Sequence, residues 1–307
     1  MPAQTQTGSS DTAARWQAVA CLMFNALVWG VSWWPFRELQ SHGLHPLWAT
    51  SLIYTLALGS LLLFTRGALR ALWAHPVLLW LALSSGLTNV GFNWAVTVGD
   101  VVRVVLLFYL MPAWSVLVAW WLLGERPTRL SLLRLGLSLA GVALVLLPDG
   151  PAGPARGSWW PDAADWLAIL GGLSFALTNA LLLKHRDTPP RARMCAMFGG
   201  GSLLALITAS AGWLQGTVGG WPAADAAWML PALLLALAFL AGNLAMQFGA
   251  ARLPASTTAL VMLSEVVFAS VSSIALGAAT LNAHTVVGGA LILASALWAA
   301  WPQSRAA

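Results

Sequence analysis

Four side-chain amides lie in two pairs within long apolar segments of the chain. Asn89 and Asn93 are four positions apart, and Asn243 and Gln247 repeat that spacing. Residues four apart share one face of a helix, so each pair would present two amides side by side. An amide donates and accepts hydrogen bonds, so it can bind both ends of a zwitterion without the desolvation cost of a fixed charge. Amides also join membrane helices to each other, and both interpretations stay open.

A second stripe of polar and aromatic residues begins at Asn25. Asn25, Trp29, Ser32 and Trp33 stand at i, i+4, i+7 and i+8, which is the spacing of one helical face. An indole ring stacks on apolar or aromatic surfaces while its N–H donates a hydrogen bond. Most of the 19 tryptophans lie near the ends of apolar segments, as an interfacial belt requires. The deeper ones are the candidates for substrate contacts: Trp29, Trp33, Trp94 and Trp114.

Tyr109, Pro112 and Glu265 are unusual residues for the middle of apolar segments. Proline lacks an N–H and clashes with the preceding turn, so Pro112 predicts a kink that frees a carbonyl near residue 108. Tyr109 is one of two tyrosines and a candidate substrate contact. A carboxyl group inside a membrane can carry a proton, which makes Glu265 the candidate for proton coupling. The alternative is a neutral Glu265 whose hydrogen bonds lock the packing of its helix.

Arg103 stands one turn into an apolar segment, behind the predicted N-cap residue Asp100. At the mouth of a pathway its guanidinium could attract a substrate carboxylate. It could equally extend to the interface or pair with Asp100.

Other chemistry is absent from the sequence. No GxxxxGK[ST] motif is present, so ATP is not expected to drive the protein directly. No histidine–aspartate cluster or serine–lysine pair indicates an enzyme. The histidines are scattered and make no metal-ligand spacing: His42, His45, His75, His185 and His284. We therefore expect no cofactor, no metal and no catalytic residue.

The elements that must position these residues are membrane-spanning helices. A span needs about 20 mostly apolar residues to cross about 30 Å of hydrocarbon. Strands of a membrane barrel would be shorter and would alternate, which these segments do not. The sequence predicts an all-α protein with ten spans: 16–36, 46–65, 76–98, 101–123, 130–147, 163–183, 194–214, 226–250, 257–278 and 284–301.

Composition and charge agree with a membrane protein. Of the 307 residues, 59% are hydrophobic and only 8% are charged, whereas soluble domains have about 25% charged residues. Disordered, disulfide-rich and nucleic-acid-binding proteins are excluded. If the N-terminus is cytoplasmic, 12 of the 15 basic residues lie inside and only Arg37, Arg103 and Arg156 lie outside. The net charge of +5 is thus explained by topology, with both termini in the cytoplasm and the protein in the inner membrane.

Ten spans divide into five and five, and an odd number per half requires inverted halves. The fourth and fifth spans align with the ninth and tenth at a shift of 153 positions, without a gap. That shift places Gly124 on Gly277 and Pro112 on Glu265. We predict a tail (1–15), a first repeat (16–147), an extracytoplasmic linker (148–162), a second repeat (163–301) and a tail (302–307). Such repeats carry their substrate site where the halves meet near the midplane.

The segment YLMPAWSVLVAWWLLGERPTRLSLLRLGLSLAGVALVLL resembles the repeat of the drug/metabolite transporter superfamily, EamA type. Its marks are Pro112, the turn Gly124-Glu125-Arg126, and the glycines Gly136 and Gly141. The second copy departs from the family pattern, since Val266 stands in place of a proline and Ala278 in place of a glutamate. The resemblance covers residues 16–301, and the stretch GLHPLWATSLIYTLALGSLLLF with FYLMP is also similar to YddG-type aromatic amino acid exporters.

The resemblance implies ten helices, cytoplasmic termini and export of amino acids or related metabolites. Pairing of the halves as in that family sets Phe175, Thr178 and Asn179 of the sixth span opposite the Asn25 stripe. We expect a secondary transporter that exports aromatic or large apolar amino acids by alternating access. Drug-like or nucleotide-sugar cargo, a channel and a membrane-embedded enzyme are the alternatives. The expected partners are a small-molecule substrate and the lipid bilayer, with no nucleic acid; the sequence leaves the oligomeric state open, and a monomer is compatible with it.

Overall fold

A computed structural model describes residues 7–124, 126–147, 161–253, 255–279 and 281–300, and the regular elements of these residues are all helices. A π-helical turn, Ala119–Leu123, ends the seventh helix. The predicted linker, except 161–162, and the predicted C-terminal tail lie outside the described residues. In chain order the helices are α1 (Thr7–Val31), α2 (Trp33–Ser41), α3 (Pro46–Phe64), α4 (Ala68–Trp73), α5 (Leu78–Val98), α6 (Val101–Phe108), α7 (Met111–Val118), α8 (Arg129–Val145), α9 (Ala163–Lys184), α10 (Pro190–Leu214), α11 (Ala226–Ala250), α12 (Ala255–Met262), α13 (Ser264–Ala275) and α14 (Ala283–Ala300).

Six helical stretches are long and apolar enough to cross a membrane: Ala14–Ser41, Pro46–Phe64, Val101–Leu122, Ala163–Lys184, Pro190–Leu214 and Ala226–Ala250. Ser264–Ala275 and Ala283–Trp298 are shorter apolar helices. The predicted spans 76–98 and 130–147 form α5 and α8, which are not among the six. The first helix begins at Thr7, inside the predicted tail 1–15. The all-helical prediction is confirmed for the described residues, and the count of ten spans stays a prediction.

Polar side chains begin several helices at one end of the protein. His45 precedes α3, and its Nδ1 accepts the N–H of Leu47 at 3.3 Å. Burial lowers the pKa of His45, which keeps the ring neutral and able to accept this bond. Asp100 begins α6, where its Oδ1 accepts the N–H of Arg103 at 2.9 Å. Arg37 of α2 reaches the last residues of α5 here, so we call this the Arg37 end.

Three of the predicted spans are interrupted, the first of them at Ser32, between α1 and α2. The predicted fourth span breaks at residues 109–110 into α6 and α7, as Pro112 indicated. The predicted ninth span breaks at Leu263 into α12 and α13, although this break contains no proline. At the sequence shift of 153, Leu110 corresponds to Leu263. The following turns both end in a left-handed glycine, Gly124 with φ 72° and Gly277 with φ 67°.

Helix packing divides much of the protein into two bundles. In the α1 bundle, α1 packs on α11, α12 and α13, and Trp33 of α2 donates from Nε1 to Ser272 Oγ of α13 at 3.0 Å. In the α9 bundle, α9 packs on α5, α6 and α7. The first predicted span thus packs on the eighth and ninth, and the sixth packs on the third and fourth. Outside these two sets, α10 packs on α5 and α3, α11 also packs on α3, and α8 packs on α14.

Small residues allow close approach between helices. A Cβ atom on Gly141 of α8 would lie 2.6 Å from the carbonyl oxygen of Gly288 of α14, and one on Gly288 would lie 2.5 Å from that of Gly141. About one turn away, Ser138 Oγ donates to Ser295 Oγ at 2.8 Å. These contacts run in opposite directions along the two helices, so α8 and α14 are antiparallel. Glycine contacts with added hydrogen bonds are typical of helix packing in membranes.

Candidate functional site

The break between α6 and α7 and the break between α12 and α13 meet at Tyr109 and Glu265. Tyr109 lies in the break between α6 and α7, and Glu265 lies in the first turn of α13. The Tyr109 hydroxyl oxygen is 3.0 Å from Glu265 Oε2 and 3.1 Å from the carbonyl oxygen of Met262. Both side chains are buried, with 3% of Tyr109 and 8% of Glu265 exposed. A hydroxyl of the α9 bundle is thereby bonded to a carboxyl and a carbonyl of the α1 bundle, at what we call the Tyr109–Glu265 junction.

This geometry gives the junction two hydrogen-bonding arrangements. An ionised Glu265 can only accept, so it takes the hydrogen of the Tyr109 hydroxyl. A protonated Glu265 can donate to the Tyr109 oxygen, which then donates to the Met262 carbonyl instead. Addition of one proton therefore moves a hydrogen bond from the side chain of α13 to the backbone at the end of α12. Such a change at a contact between two bundles is suited to couple protonation to their movement.

A glycine of a neighbouring helix packs against each of these two breaks. The carbonyl of Phe108, the last residue of α6, faces α9 so closely that a Cβ on Gly172 would lie 2.6 Å from it. The carbonyl that Pro112 frees is thus covered by α9 rather than open to a cavity. On the other side, a Cβ on Gly30 of α1 would lie 2.7 Å from the carbonyl oxygen of Glu265. A larger residue at either glycine would displace the break beside it.

Asn25 adjoins the junction from α1. Its Nδ2 lies 3.6 Å from the sulfur of Met262, and only 1% of the residue is exposed. Its Oδ1 is buried without a hydrogen-bond partner among the described residues. Buried polar atoms are rarely left unpaired, because each costs about 1–3 kcal/mol. Asn25 Oδ1 is therefore a buried acceptor beside the junction that can still take one hydrogen bond.

Aromatic rings line the neighbouring contact between the bundles. Trp29 stacks on Phe239 with ring centroids 4.6 Å apart and meets Phe92 edge-on at 6.0 Å. Phe92 lies 4.7 Å from Phe108, which precedes Tyr109. The predicted stripe of α1 therefore leads to an aromatic contact between Trp29 of one bundle and Phe92 of the other. Trp33 follows four residues later, bonded to Ser272.

The amides of α5 take part in helix packing. Asn89 Oδ1 accepts the hydroxyl of Tyr54 at 2.6 Å, and Asn93 Nδ2 donates to Thr50 Oγ1 at 3.2 Å, both on α3. These bonds favour the structural interpretation for Asn89. Asn93 is fully buried and its Oδ1 has no partner among the described residues, so it keeps an unpaired acceptor as Asn25 does.

Three predicted site residues lie apart from the junction. Gln247 is exposed and donates to Asn243 Oδ1 of its own helix at 3.0 Å. Asn179 is also exposed, whereas the preceding Thr178 is buried and donates to Ser84 Oγ at 3.0 Å. The described contacts bring none of the three amides to Tyr109 or Glu265.

Of the other deep tryptophans, Trp94 packs edge-on against His45, and Trp114 has a buried Nε1 without a partner among the described residues.

Arg103 forms a bidentate ion pair with Asp165 rather than a side-chain pair with Asp100. Its Nε lies 2.7 Å from Asp165 Oδ1 and its Nη2 lies 2.7 Å from Oδ2. Its Nη1 also donates to the carbonyl of Val145 at 3.0 Å, at the end of α8. Asp165 shares a capping box with Asp162 at the start of α9. The pair therefore fastens α6 to α9 within one bundle, and its guanidinium is already occupied.

Sequence reasoning missed Met262, Asp165, Ser272 and Thr50. The shift of 153 could have found Met262, because it places Met262 on Tyr109 and the two residues touch. The partners Asp165 and Ser272 are far along the chain and carry no local signal. Among the described residues, no three histidine, cysteine or acidic side chains are placed to hold a metal ion.

The chain is similar to known proteins in its fold and in part of its sequence. No curated protein matches the chain. Several solved structures are similar to the chain. One of them, a protein crystal structure, has a TM-score of 0.52 and 19% sequence identity, and the alignment covers 94% of this chain and 95% of that chain. At this identity the likeness concerns the fold alone. Residues 16–147, less than half of the chain, match the EamA-like transporter family. This part of the chain is therefore similar to membrane transporters of the drug/metabolite type.

Proposed function

We propose that the protein is a secondary transporter that exports small metabolites, foremost aromatic or large apolar amino acids, by alternating access. The observation that carries the proposal is the contact of Tyr109 with Glu265 and Met262, where two interrupted helices from different bundles meet. Interrupted helices near the midplane are the usual substrate and ion sites of inverted-repeat transporters.

The pairing of the helices supports an inverted repeat of five and five. Exchange of the first five spans with the last five converts the α1 contacts into the α9 contacts and returns α3–α10 and α8–α14 to themselves. A twofold axis also brings equivalent residues into contact, and Tyr109 touches its counterpart Met262. These features support ten spans as two inverted repeats, 16–147 and 163–301.

The distribution of basic residues supports an orientation of the protein with its N-terminus in the cytoplasm. With the N-terminus in the cytoplasm, the Arg37 end faces the outer side of the inner membrane. Arg37 and Arg103, exceptions to the inside bias of the basic residues, both donate to backbone carbonyls at helix C-termini there. A cation at that position is favoured by the helix dipole, so specific bonds account for two of the three exceptions.

The lining of the junction supports an amphipathic cargo. Trp29 and Phe92 offer apolar ring surface, and Asn25 Oδ1 offers an unpaired acceptor to an ammonium group. Proton exchange at Glu265 would couple export to the movement of protons down their gradient, and the gradient would supply the driving force. Asn93 remains part of this proposal through its own unpaired acceptor.

The test is flux through purified protein in liposomes, measured with a panel of labelled amino acids with and without a pH gradient. We expect saturable flux of tryptophan, phenylalanine or leucine that unlabelled substrate inhibits. Protein-free liposomes and the exposed-residue variant Arg66→Gln are the controls. Saturable flux of drug-like compounds or nucleotide sugars, with none of any amino acid, would refute the proposed substrate class and favour the alternative.

A further inference from the structure

Arg37 bridges the two bundles at the Arg37 end. Its Nε donates to the carbonyl of Val96 at 3.3 Å, and its Nη2 donates to the carbonyl of Gly99. Arg37 belongs to α2 of the α1 bundle, whereas both carbonyls end α5 of the α9 bundle. Movement of the bundles apart at this end must therefore break the two bonds. Arg103 differs, because its ion pair with Asp165 lies within the α9 bundle.

A polar recess opens beside Arg37. It has a volume of about 540 Å³, and its walls include Arg37, Gln40, Ser41, Thr97, Asp100 and Ala278. The walls come from α2, from the turn between α5 and α6, and from the turn after α13. Sites for small ligands have volumes of about 300–1,000 Å³, so an amino acid fits. The recess offers a cation and an anion from different bundles, which suits the two charges of a zwitterion.

A carboxylate is a better partner for Arg37 than the carbonyls it now holds. Bonds between a guanidinium and a carboxylate are charge-assisted on both sides and form a parallel pair. A carboxylate in the recess would compete for the donors that Val96 and Gly99 now accept. An ammonium on the same molecule would be drawn to Asp100, which uses one oxygen for the N–H of Arg103. Binding of a zwitterion thus favours release of the bond between the bundles.

Arg37, in the recess wall, lies on the same helical face as Asn25, which adjoins the Tyr109–Glu265 junction. The guanidinium carbon of Arg37 lies 5.3 Å from the ring centre of Trp33, which is four residues earlier. Trp29 and Asn25 follow at further steps of four along the helix, down to Met262. On the facing helices, Ala278 in the recess wall, Ser272 and Met262 follow in the same order. The recess therefore lies at one end of the helical face that carries this stripe.

We propose that this recess is an outer binding site for the charged head of an α-amino acid, and that carboxylate binding to Arg37 releases α5 and opens the outer end. The substrate class rests on the proposed function, whereas the bridge between the bundles rests on the Arg37 bonds alone. The experiment separates the two parts.

The first measurement tests the bridge without any ligand. In a Cys21→Ser, Cys195→Ser background, a single Ala278→Cys change places a thiol in the recess wall. We expect Arg37→Gln to raise its labelling rate by a membrane-impermeant maleimide about tenfold, the value of one charge-assisted hydrogen bond. Arg66→Gln, at an exposed arginine, is the matched control with an unchanged rate. An unchanged rate in folded Arg37→Gln protein would refute the bridge.

The second measurement tests recognition of the carboxylate. We expect the parent protein to bind tryptophan at least about tenfold more tightly than tryptophan amide, and Arg37→Gln to bind both alike. Asp100→Asn keeps the helix cap and should instead lose the preference for tryptophan over indole-3-propionate, which lacks the ammonium. Preferences that survive both changes would refute the outer site. Parent protein that neither binds nor transports any amino acid would refute the proposed substrate, while the labelling result would still decide the bridge.

Discussion

The fourth and ninth predicted spans are interrupted at equivalent positions of the backbone, but different side chains lie at the two breaks. The break between α6 and α7 and the break between α12 and α13 occupy equivalent positions, and each following turn ends in a left-handed glycine. The first break carries Tyr109, where the second has Met262. The second carries Glu265, where the first has Pro112. Repetition of the helix pattern sets where the breaks lie, and the unlike side chains make their contact a donor–acceptor pair.

The contacts at the starts of α6 and α12 also differ in their chemistry. Arg103 joins α6 to Asp165 of α9 by an ion pair, whereas Leu253, just before α12, packs on Ala18 and Leu22 of α1. One bundle is thus fastened at this position by charge and the other by apolar packing.

The largest expected effect on stability is at the ion pair. Arg103→Leu leaves the carboxylate of Asp165 buried without its partner, so the free energy of unfolding should fall by about 3 kcal/mol. The double change Arg103→Leu with Asp165→Leu should recover most of this loss, because it converts the contact into the apolar kind that Leu253 makes. Unfolding in detergent measures both. A double variant no more stable than the single one would show that the two bundles are not interchangeable in this way.

A smaller effect is expected at the Tyr109–Glu265 junction. Tyr109→Phe removes the donor that faces the buried Glu265 carboxyl, at a cost of about 1–3 kcal/mol. In a Glu265→Met background the same change should cost at least about 1 kcal/mol less, because only the bond to Met262 is then lost. The four-variant cycle in unfolding free energy gives the coupling. A coupling near zero would mean that the hydroxyl bonds only to the backbone.

The sequence predicts the helices well because hydropathy is a property of each segment alone. Pro112 likewise marked the break in the fourth span through its own ring and missing N–H. The break at Leu263 has no such residue, so it could be inferred only from the repeat. Neither pattern identifies partners that are distant in the sequence. For this reason Asp100 was the only partner considered for Arg103, and Asp165 was missed.

Helical phase explains why some predicted site residues lie elsewhere. One residue along a helix turns the side chain by about 100°, so Asn179 is exposed while the preceding Thr178 is buried. The pair Asn243 and Gln247 has the correct spacing for one face, but spacing does not say which face points inward. Asn25, Tyr109 and Glu265 were identified because buried polar residues in apolar helices need a partner or a function.

The smallest effect is expected at Pro112. The break between α12 and α13 forms without proline, so the break between α6 and α7 should persist in Pro112→Ala. We expect the free energy of unfolding to change by less than about 1 kcal/mol and flux to be retained. Comparison of substrate flux and unfolding with those of the parent tests this. Loss of transport with intact folding would show that the proline, and not the repeated packing, makes the first break.

The central claim is that the Tyr109–Glu265 junction couples a proton to movement of the two bundles. Its direct test is export by Glu265→Gln protein in liposomes, with and without a pH gradient. Glutamine keeps the size and the hydrogen bond to Tyr109 but cannot exchange a proton. We predict that stimulation by the gradient disappears while exchange of substrate without a gradient remains. Stimulation equal to that of the parent would contradict the account and return Glu265 to a purely structural role.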